Sequence, residues 1–127
     1  KGWYLELPLR GTPQRGETVF IDPPDSVANL LYERHYLRPG AVLIKRVLGL
    51  PGDAVCIENH ELLINHQKIG SIAAADTLGR PLPQLQYCTV LPLHQYFLVS
   101  THIPNSFDSR YFGPVQRSQI LGRAVYL

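Results

Sequence analysis

The sequence predicts a mainly β domain of small coiled antiparallel sheets with one short helix. Apolar residues recur in short runs of strand-like spacing, 11 prolines and 10 glycines divide these runs, and only one stretch has helical spacing. A chain of 127 residues has room for one modest core. We therefore expect residues 1–127 to form a single domain.

The predicted strands are short. Residues 2–9 place Trp3, Leu5 and Leu7 on one face, and residues 18–21 form a second strand that ends before Pro23. Further strands are predicted at residues 41–48, 54–58, 61–64, 67–72, 95–100 and 120–127. Residues 73–87 are expected to be a long loop and residues 101–119 to be irregular.

The one predicted helix lies between the second and third strands. Asp25 or Ser26 can cap it, and Pro39 with Gly40 ends it. Its apolar residues at helical spacing include Val27, Leu30 and Leu31. A short amphipathic helix of this kind typically covers the edge of a sheet.

Composition excludes several classes of function. The formal net charge is only +2, and the nine arginines and three lysines are scattered, so no basic stripe indicates nucleic-acid binding. The five histidines lack the spacing of metal ligands, so no metal site is predicted. No apolar run approaches the ~18 residues of a membrane span. Because the chain lacks methionine and begins at Lys1, we expect further residues before it.

Two cysteines, Cys56 and Cys88, lack the CxxC spacing of a zinc site. They are either a disulfide or two separate thiols. The even count in a loop-rich chain favours a disulfide and an oxidising compartment. Such a bond would tie a central strand to the far end of the long loop and contribute a few kcal/mol.

Lys45 is the first candidate for chemistry. It lies in an apolar strand, and desolvation disfavours an ammonium group, so a buried lysine can become a general base for a hydroxyl. The alternative is a structural lysine whose stem packs on apolar neighbours while its amine reaches water.

The second candidate stretch is residues 105–115, where Asp108 and Arg110 stand two apart among small hydroxyl and aromatic residues. The two can form a charge-assisted pair that fixes an irregular loop. The alternative is a surface loop with one salt bridge of little energetic value.

Together, two stretches resemble the lysine box and the C-terminal box of type I signal peptidases. They are LIKRVLGLPGD at residues 43–53 and NSFDSRYFG at residues 105–113. The longer form SFDSRYFGPV, the stretch DTLGRPLP at residues 76–83 and the two cysteines are most similar to the TraF conjugative-transfer peptidases. The resemblance covers nearly the whole chain.

The resemblance implies a fold and a catalytic dyad. The fold would be the partly open β barrel of signal peptidases, which LexA-like domains share. Lys45 would be the general base of a Ser-Lys dyad, and Ser106 would orient its amine. Asp108 and Arg110 would support the loop that carries Ser106.

The resemblance also implies how a peptide would bind. Leu43 and Ile44 would line shallow pockets for small side chains ahead of the cleaved bond. The substrate would lie extended, as an added strand beside the lysine strand. In the family the nucleophile belongs to a Ser-x-Pro-x-Gly-x-Tyr motif, and residues 1–4 are similar to its end. We therefore expect the nucleophilic serine before Lys1 and this chain alone to be inactive.

As a function, the resemblance implies a membrane-associated serine endopeptidase that needs no cofactor. It would act at the periplasmic face of the bacterial inner membrane, held there by an N-terminal anchor. Its substrate would be a pilin precursor of conjugative transfer, which it would cleave or cyclise. Two alternatives are a non-catalytic structural domain of a secretion complex and a LexA-like self-cleaving domain. A disulfide between Cys56 and Cys88 would oppose the second.

Overall fold

A computed structural model describes residues 3–100 and 106–127 of the chain. These residues form ten strands, two helices and one 3₁₀ turn. In chain order the elements are β1 (Tyr4–Leu7), β2 (Thr18–Ile21), α1 (Asp25–Glu33), β3 (Leu43–Gly49), β4 (Ala54–Glu58), β5 (Glu61–Ile64), β6 (Gln67–Ser71), β7 (Tyr87–Val90), β8 (Gln95–Val99), α2 (Ser109–Phe112), β9 (Val115–Gln116), the 3₁₀ turn (Arg117–Gln119) and β10 (Ile120–Tyr126).

The strands form two antiparallel sheets. The larger has the order β1-β10-β2-β3-β8-β9, and the smaller has the order β6-β5-β4-β7. The prediction of a mainly β chain with small antiparallel sheets is confirmed. Strand bounds at β2, β4 and β5 match the predicted ones. Gly2, where the first strand was expected to begin, lies outside the described residues.

Strand β3 places Lys45 on the core side of the larger sheet. Its residues alternate between buried and partly exposed, with Leu43, Lys45 and Val47 buried on one face. β2 pairs with β3 from Leu43 to Arg46, and β8 pairs with it from Arg46 onward. The lysine is therefore fixed by a strand with ladder partners on both sides.

The turn after β3 connects the two sheets through Asp53. The Asp53 carboxylate accepts hydrogen bonds from the Leu50 amide at 2.7 Å, from Asn65 Nδ2 at 3.0 Å and from Arg15 Nη1 at 2.7 Å. Burial acts to raise the pKa of Asp53, but these hydrogen bonds outweigh it and lower the pKa to about 2. Arg15 thus links the turn to the segment before β2.

Helix α1 is shorter than predicted and begins differently. Pro24 occupies the N-cap position, and no side chain caps the helix there, so the expected cap by Asp25 or Ser26 is wrong. The helix ends at Glu33, well before Pro39, because His35 takes a left-handed conformation with φ of 59°.

The structure contains a strand that the sequence did not predict. Residues 87–90, expected in part to be loop, form β7, which pairs with β4 and places Cys88 directly opposite Cys56. The two cysteines form a disulfide. The prediction that it ties a strand to the end of a loop is therefore wrong, because it joins neighbouring strands.

Residues 106–119, part of the stretch predicted to be irregular, are more regular than expected. From residue 106 on, this stretch contains α2, β9 and the 3₁₀ turn, whereas residues 101–105 lie outside the described part. A helix of one turn shows no periodicity, so its only sequence signal is Asp108, whose side chain accepts from the Arg110 amide as the N-cap. Neither helix in the described residues is long and apolar enough to cross a membrane.

Candidate active site

The structure brings Lys45 and Ser106 together from positions 61 residues apart. Lys45 Nζ lies 2.6 Å from Ser106 Oγ, a hydrogen-bond distance. Lys45 is only 8% exposed and Ser106 only 7%. The alternative of a strand lysine with its amine in bulk water does not fit this geometry.

Burial shifts the pKa of this lysine. Desolvation lowers the pKa of Lys45 from the ordinary lysine value, the nearby Asp108 carboxylate opposes that effect, and Arg110 adds to it. The amine therefore loses its proton at a lower pH than a surface lysine does. A neutral amine has a free lone pair that can take a proton from a hydroxyl.

Asp108 and Arg110 form a buried ion pair beside the candidate dyad. Their shortest contact is 2.8 Å between Arg110 Nη2 and Asp108 Oδ2. Arg110 also donates to the Ser106 carbonyl oxygen at 3.4 Å, and Asp108 accepts from the Ser100 amide at 2.9 Å. The pair thus connects the segment of Ser106 to the end of β8.

Two side chains of α2 have structural contacts that sequence reasoning did not assign. Ser109 Oγ accepts a hydrogen bond from the Leu98 amide at 3.0 Å. Tyr111 Oη accepts from the Ala73 amide at 2.9 Å. Both residues lie within the second box, which was the only signal for them. They fix α2 against β8 and against the loop after β6.

A cleft of about 340 Å³ opens beside the two candidate catalytic residues. Its lining is mostly apolar and comes from α1, β3, the loop after β6 and the segment around α2. The lining residues are Leu31, Tyr36, Leu43, Lys45, Ala73, Ala75, Asp76, Thr77, Leu82, Ser106, Phe107 and Tyr111. This size is near the lower end of the range for ligand clefts.

The two residues expected to line substrate pockets are placed differently. Leu43 shares the buried face of β3 with Lys45 and lines the cleft. Ile44 is partly exposed, falls on the opposite face of the strand and is not part of the cleft lining. Their roles in substrate binding stay predictions.

The cysteines do not offer a metal site. In the described part of the chain, Cys56, Glu58 and Cys88 form a group of potential ligand atoms within 4.8 Å of one another. The two sulfurs are joined in the disulfide, and they therefore lack the thiolate charge with which cysteine binds metals.

Fold and sequence comparisons define the class of protein. A solved signal peptidase I from Enterococcus faecalis V583 superimposes with a TM-score of 0.51, covering 88% of this chain and 96% of that one, at 24% sequence identity. The likeness shows a shared fold. The family model described as signal peptidase, peptidase S26, matches residues 2–127, and the chain belongs to that family. It is accordingly a peptidase of the serine endopeptidase class.

The relatives to which the chain is similar include proteins of conjugal and plasmid transfer. It is 36% identical to the conjugal transfer protein TraF of Agrobacterium fabrum, over 96% of this chain and 72% of that protein. It is also 36% identical to a plasmid transfer protein TraF of Escherichia coli, over 94% and 71%. A probable signal peptidase I-2 of Synechocystis is 33% identical over 88% of this chain, which spans only 46% of that relative.

Proposed function

We propose that the protein is a signal-peptidase-type serine endopeptidase of conjugative transfer, in which Lys45 is the general base. The supporting observation is the buried Lys45 amine 2.6 Å from Ser106 Oγ, at the wall of an apolar cleft. Ser106 orients the amine, and the Asp108–Arg110 pair holds the segment of Ser106. A scaffold without catalytic function would not need a lysine in this desolvated position.

The proposed reaction is acyl transfer through an ester. The neutral Lys45 amine takes the proton of a serine hydroxyl while the serine oxygen attacks the carbonyl carbon of the substrate. The resulting ammonium then gives that proton to the departing amine as the peptide bond breaks. Water completes hydrolysis of the ester, whereas an amine of the same substrate would complete its cyclisation.

We place the nucleophilic serine outside these 127 residues, as the family motif implies. Ser106 Oγ is the hydroxyl nearest to Lys45 among the hydrogen bonds of the described residues, which makes it the competing candidate. Its backbone carbonyl accepts a hydrogen bond from Arg110 and the residue is only 7% exposed, an arrangement that suits an orienting residue. The identity of the nucleophile can be tested by covalent labelling.

The proposed substrate is an extended segment of a pilin precursor. This choice is supported by the relatives named for conjugal and plasmid transfer. The segment would lie beside residues 43–45 of β3, because β8 pairs with β3 only from Arg46 onward among the described residues. Leu43 and Ile44 would then lie next to small side chains of the substrate.

The proposed location is the periplasmic face of the inner membrane. The disulfide Cys56–Cys88 fits an oxidising compartment and opposes the alternative of a cytoplasmic LexA-like domain. Trp3 is 80% exposed, and Tyr4 and Leu5 are exposed beside it. Exposed aromatic side chains suit a membrane interface, which supports this location.

The test uses the full-length gene product, with all residues encoded before Lys1, and the pilin precursor encoded by the same replicon. Parent, Lys45→Met and the matched surface variant Lys68→Met are compared by mass spectrometry, in which a cyclised product is lighter than the linear one by one water molecule. We expect cleavage or cyclisation by the parent and Lys68→Met and a loss of at least a hundredfold in Lys45→Met. Equal activity of all three would overturn the dyad.

The same samples identify the nucleophile. A serine-reactive phosphonate is added to parent enzyme, and the labelled peptide is sequenced. Label on a serine before Lys1 supports the proposed arrangement. Label on Ser106 would place the nucleophile within this chain and leave no orienting role for that residue.

A further inference from the structure

The DTLGRPLP stretch forms one wall of the cleft beside Lys45. Residues 74–82 fold back on themselves: Leu82 donates to the Ala74 carbonyl, and Ala75 pairs with Pro81. Within this turn the Asp76 carboxylate accepts from the Leu78 amide at 3.0 Å, and from the Arg80 amide at 2.9 Å. The carboxylate therefore fixes the turn from inside.

Asp76 also reaches across the cleft wall to the segment after α1. Tyr36 Oη donates to Asp76 Oδ2 at 2.6 Å, and Arg34 Nη1 donates to Tyr36 Oη at 3.3 Å. The Tyr36 ring lies under the Arg80 guanidinium at 5.8 Å and beside the Phe107 ring at 5.6 Å. Tyr36 is thus held by the hydrogen bonds of its hydroxyl and by the contacts of its ring with Arg80 and Phe107.

The surroundings of Tyr36 are suited to an apolar side chain. Its ring lines the cleft with Leu31, Leu43 and Phe107, and this surface continues up to Lys45. A volume of about 340 Å³ is larger than one small side chain requires. The hydroxyl of Tyr36 is directed to Asp76, so the ring offers the cleft its carbon surface.

We propose that Tyr36 is a specificity-determining residue that receives an apolar side chain of the peptide substrate, and that Asp76 is the residue that positions it. The inference rests on the proposed peptidase function and adds a binding determinant outside the two boxes. Loss of the hydrogen bond between the two residues lets the ring move, so the apolar contact weakens while Lys45 is unaffected.

Binding is the test, because it can be measured without turnover. Full-length Lys45→Met protein is titrated calorimetrically with capped nine-residue alanine peptides that carry one leucine or, at the same position, one asparagine. These side chains are similar in size and differ in polarity. We expect one position at which leucine binds at least tenfold more tightly than asparagine. The same preference is expected in kcat/KM of the parent enzyme for cleaved peptides.

Three variants isolate the contact. Tyr36→Ala should reduce the leucine preference to less than threefold, and Tyr36→Phe should weaken leucine binding severalfold through higher KM with little change in kcat. Tyr32→Phe makes the same chemical change on α1 outside the cleft lining and should behave as the parent. In an Asp76→Ala background, Tyr36→Phe should have a smaller effect than in the parent, since the hydrogen bond from Tyr36 to Asp76 is already lost and only the one from Arg34 remains to be removed.

The outcomes separate the two proposals. A leucine preference that survives Tyr36→Ala unchanged, or is absent at every position, overturns the role of Tyr36 even where the parent cleaves and Lys45→Met does not. A preference that depends on Tyr36 in a parent that cleaves nothing supports the apolar site and overturns the peptidase function instead.

Discussion

Arg110 donates to both carboxylate oxygens of Asp108, with Nε 2.9 Å from Oδ1 and Nη2 2.8 Å from Oδ2. The two side chains are buried, and the remaining guanidinium nitrogen donates to the Ser71 carbonyl at 3.0 Å. The pair therefore joins β6 to the segment that positions Ser106. Asp108 and Arg110, two residues apart in the sequence, thus hold the segment in which Ser106 Oγ lies 2.6 Å from Lys45 Nζ.

Breaking this pair should be costly. Asp108→Asn leaves the Arg110 guanidinium buried without its counter-charge, so we expect a loss of about 3–5 kcal/mol in the free energy of unfolding. Urea denaturation measures it. The control is Glu61→Gln, which breaks the exposed Lys68–Glu61 pair and should cost no more than about 1 kcal/mol. Losses of equal size in the two variants would contradict the structural role of the buried pair.

Lys45 should titrate below an ordinary lysine. Because burial lowers its pKa, the amine becomes neutral, and reactive toward acetic anhydride, at a lower pH than a free lysine with a pKa of about 10.4. Competitive acetylation across the pH range, read by mass spectrometry, gives the midpoint for each lysine. The exposed Lys68 is the internal reference. A Lys45 midpoint at or above that of Lys68 would contradict the prediction.

The same shift predicts how activity depends on pH. If neutral Lys45 is the base, kcat/KM of the full-length enzyme rises with pH through the lowered Lys45 pKa and falls on acidification. The pH midpoint of that limb should agree with the acetylation midpoint. Disagreement between them would assign the limb to another group.

Asp53 should make the fold sensitive to acid. Its pKa of about 2 lies below the ordinary 3.8, so the folded state binds the proton less readily than the unfolded chain. The stability that this provides is present above about pH 4 and is lost as the pH falls through 2. With allowance for the half-exposed Arg15 partner, we expect about 1 kcal/mol.

Denaturation of parent and Asp53→Asn between neutral pH and pH 2 checks this. The variant should be less stable at neutral pH, and the difference should shrink on acidification. Asp22→Asn, the same change at an exposed aspartate, is the matched control for the substitution itself. A constant difference between parent and Asp53→Asn at all pH values would refute the ionic origin of the effect.

Local sequence patterns predicted the strands that are half buried and missed the elements held by distant contacts. Residues 43–49 were recognised as an apolar run that ends in a turn of glycine and proline, and the structure then shows their burial alternating along β3. β7 has mostly exposed residues and depends on pairing with β4, which no local pattern reveals. α2 is a single turn, too short to show a period.

The sequence predicted only those site residues that lie in recognisable motifs. Lys45 and Ser106 came from the two boxes, since 61 residues separate them and neither position predicts the other by itself. Tyr36 and Asp76 are 40 residues apart and were not linked, because the hydrogen bond between them exists only once the segment after α1 and the turn after β6 are packed together. Contacts of this kind follow from tertiary structure alone.

Gly49 should tolerate no side chain at the end of β3. A Cβ there would lie 2.7 Å from Phe97 Cβ and 3.2 Å from Leu91 Cδ1, and both neighbours are buried core residues. Because a packed core cannot move aside, Gly49→Ala should lower the free energy of unfolding by about 1–3 kcal/mol.

The matched control is Gly70→Ala in β6, whose added Cβ would meet only the end of the Arg110 side chain at 3.5 Å. Thermal and urea unfolding should show that control within about 0.5 kcal/mol of the parent. Equal stability of the two variants would mean that β3 and β8 can separate at Gly49. The position of Lys45, four residues earlier in β3, would then be less firmly fixed than the strand register implies.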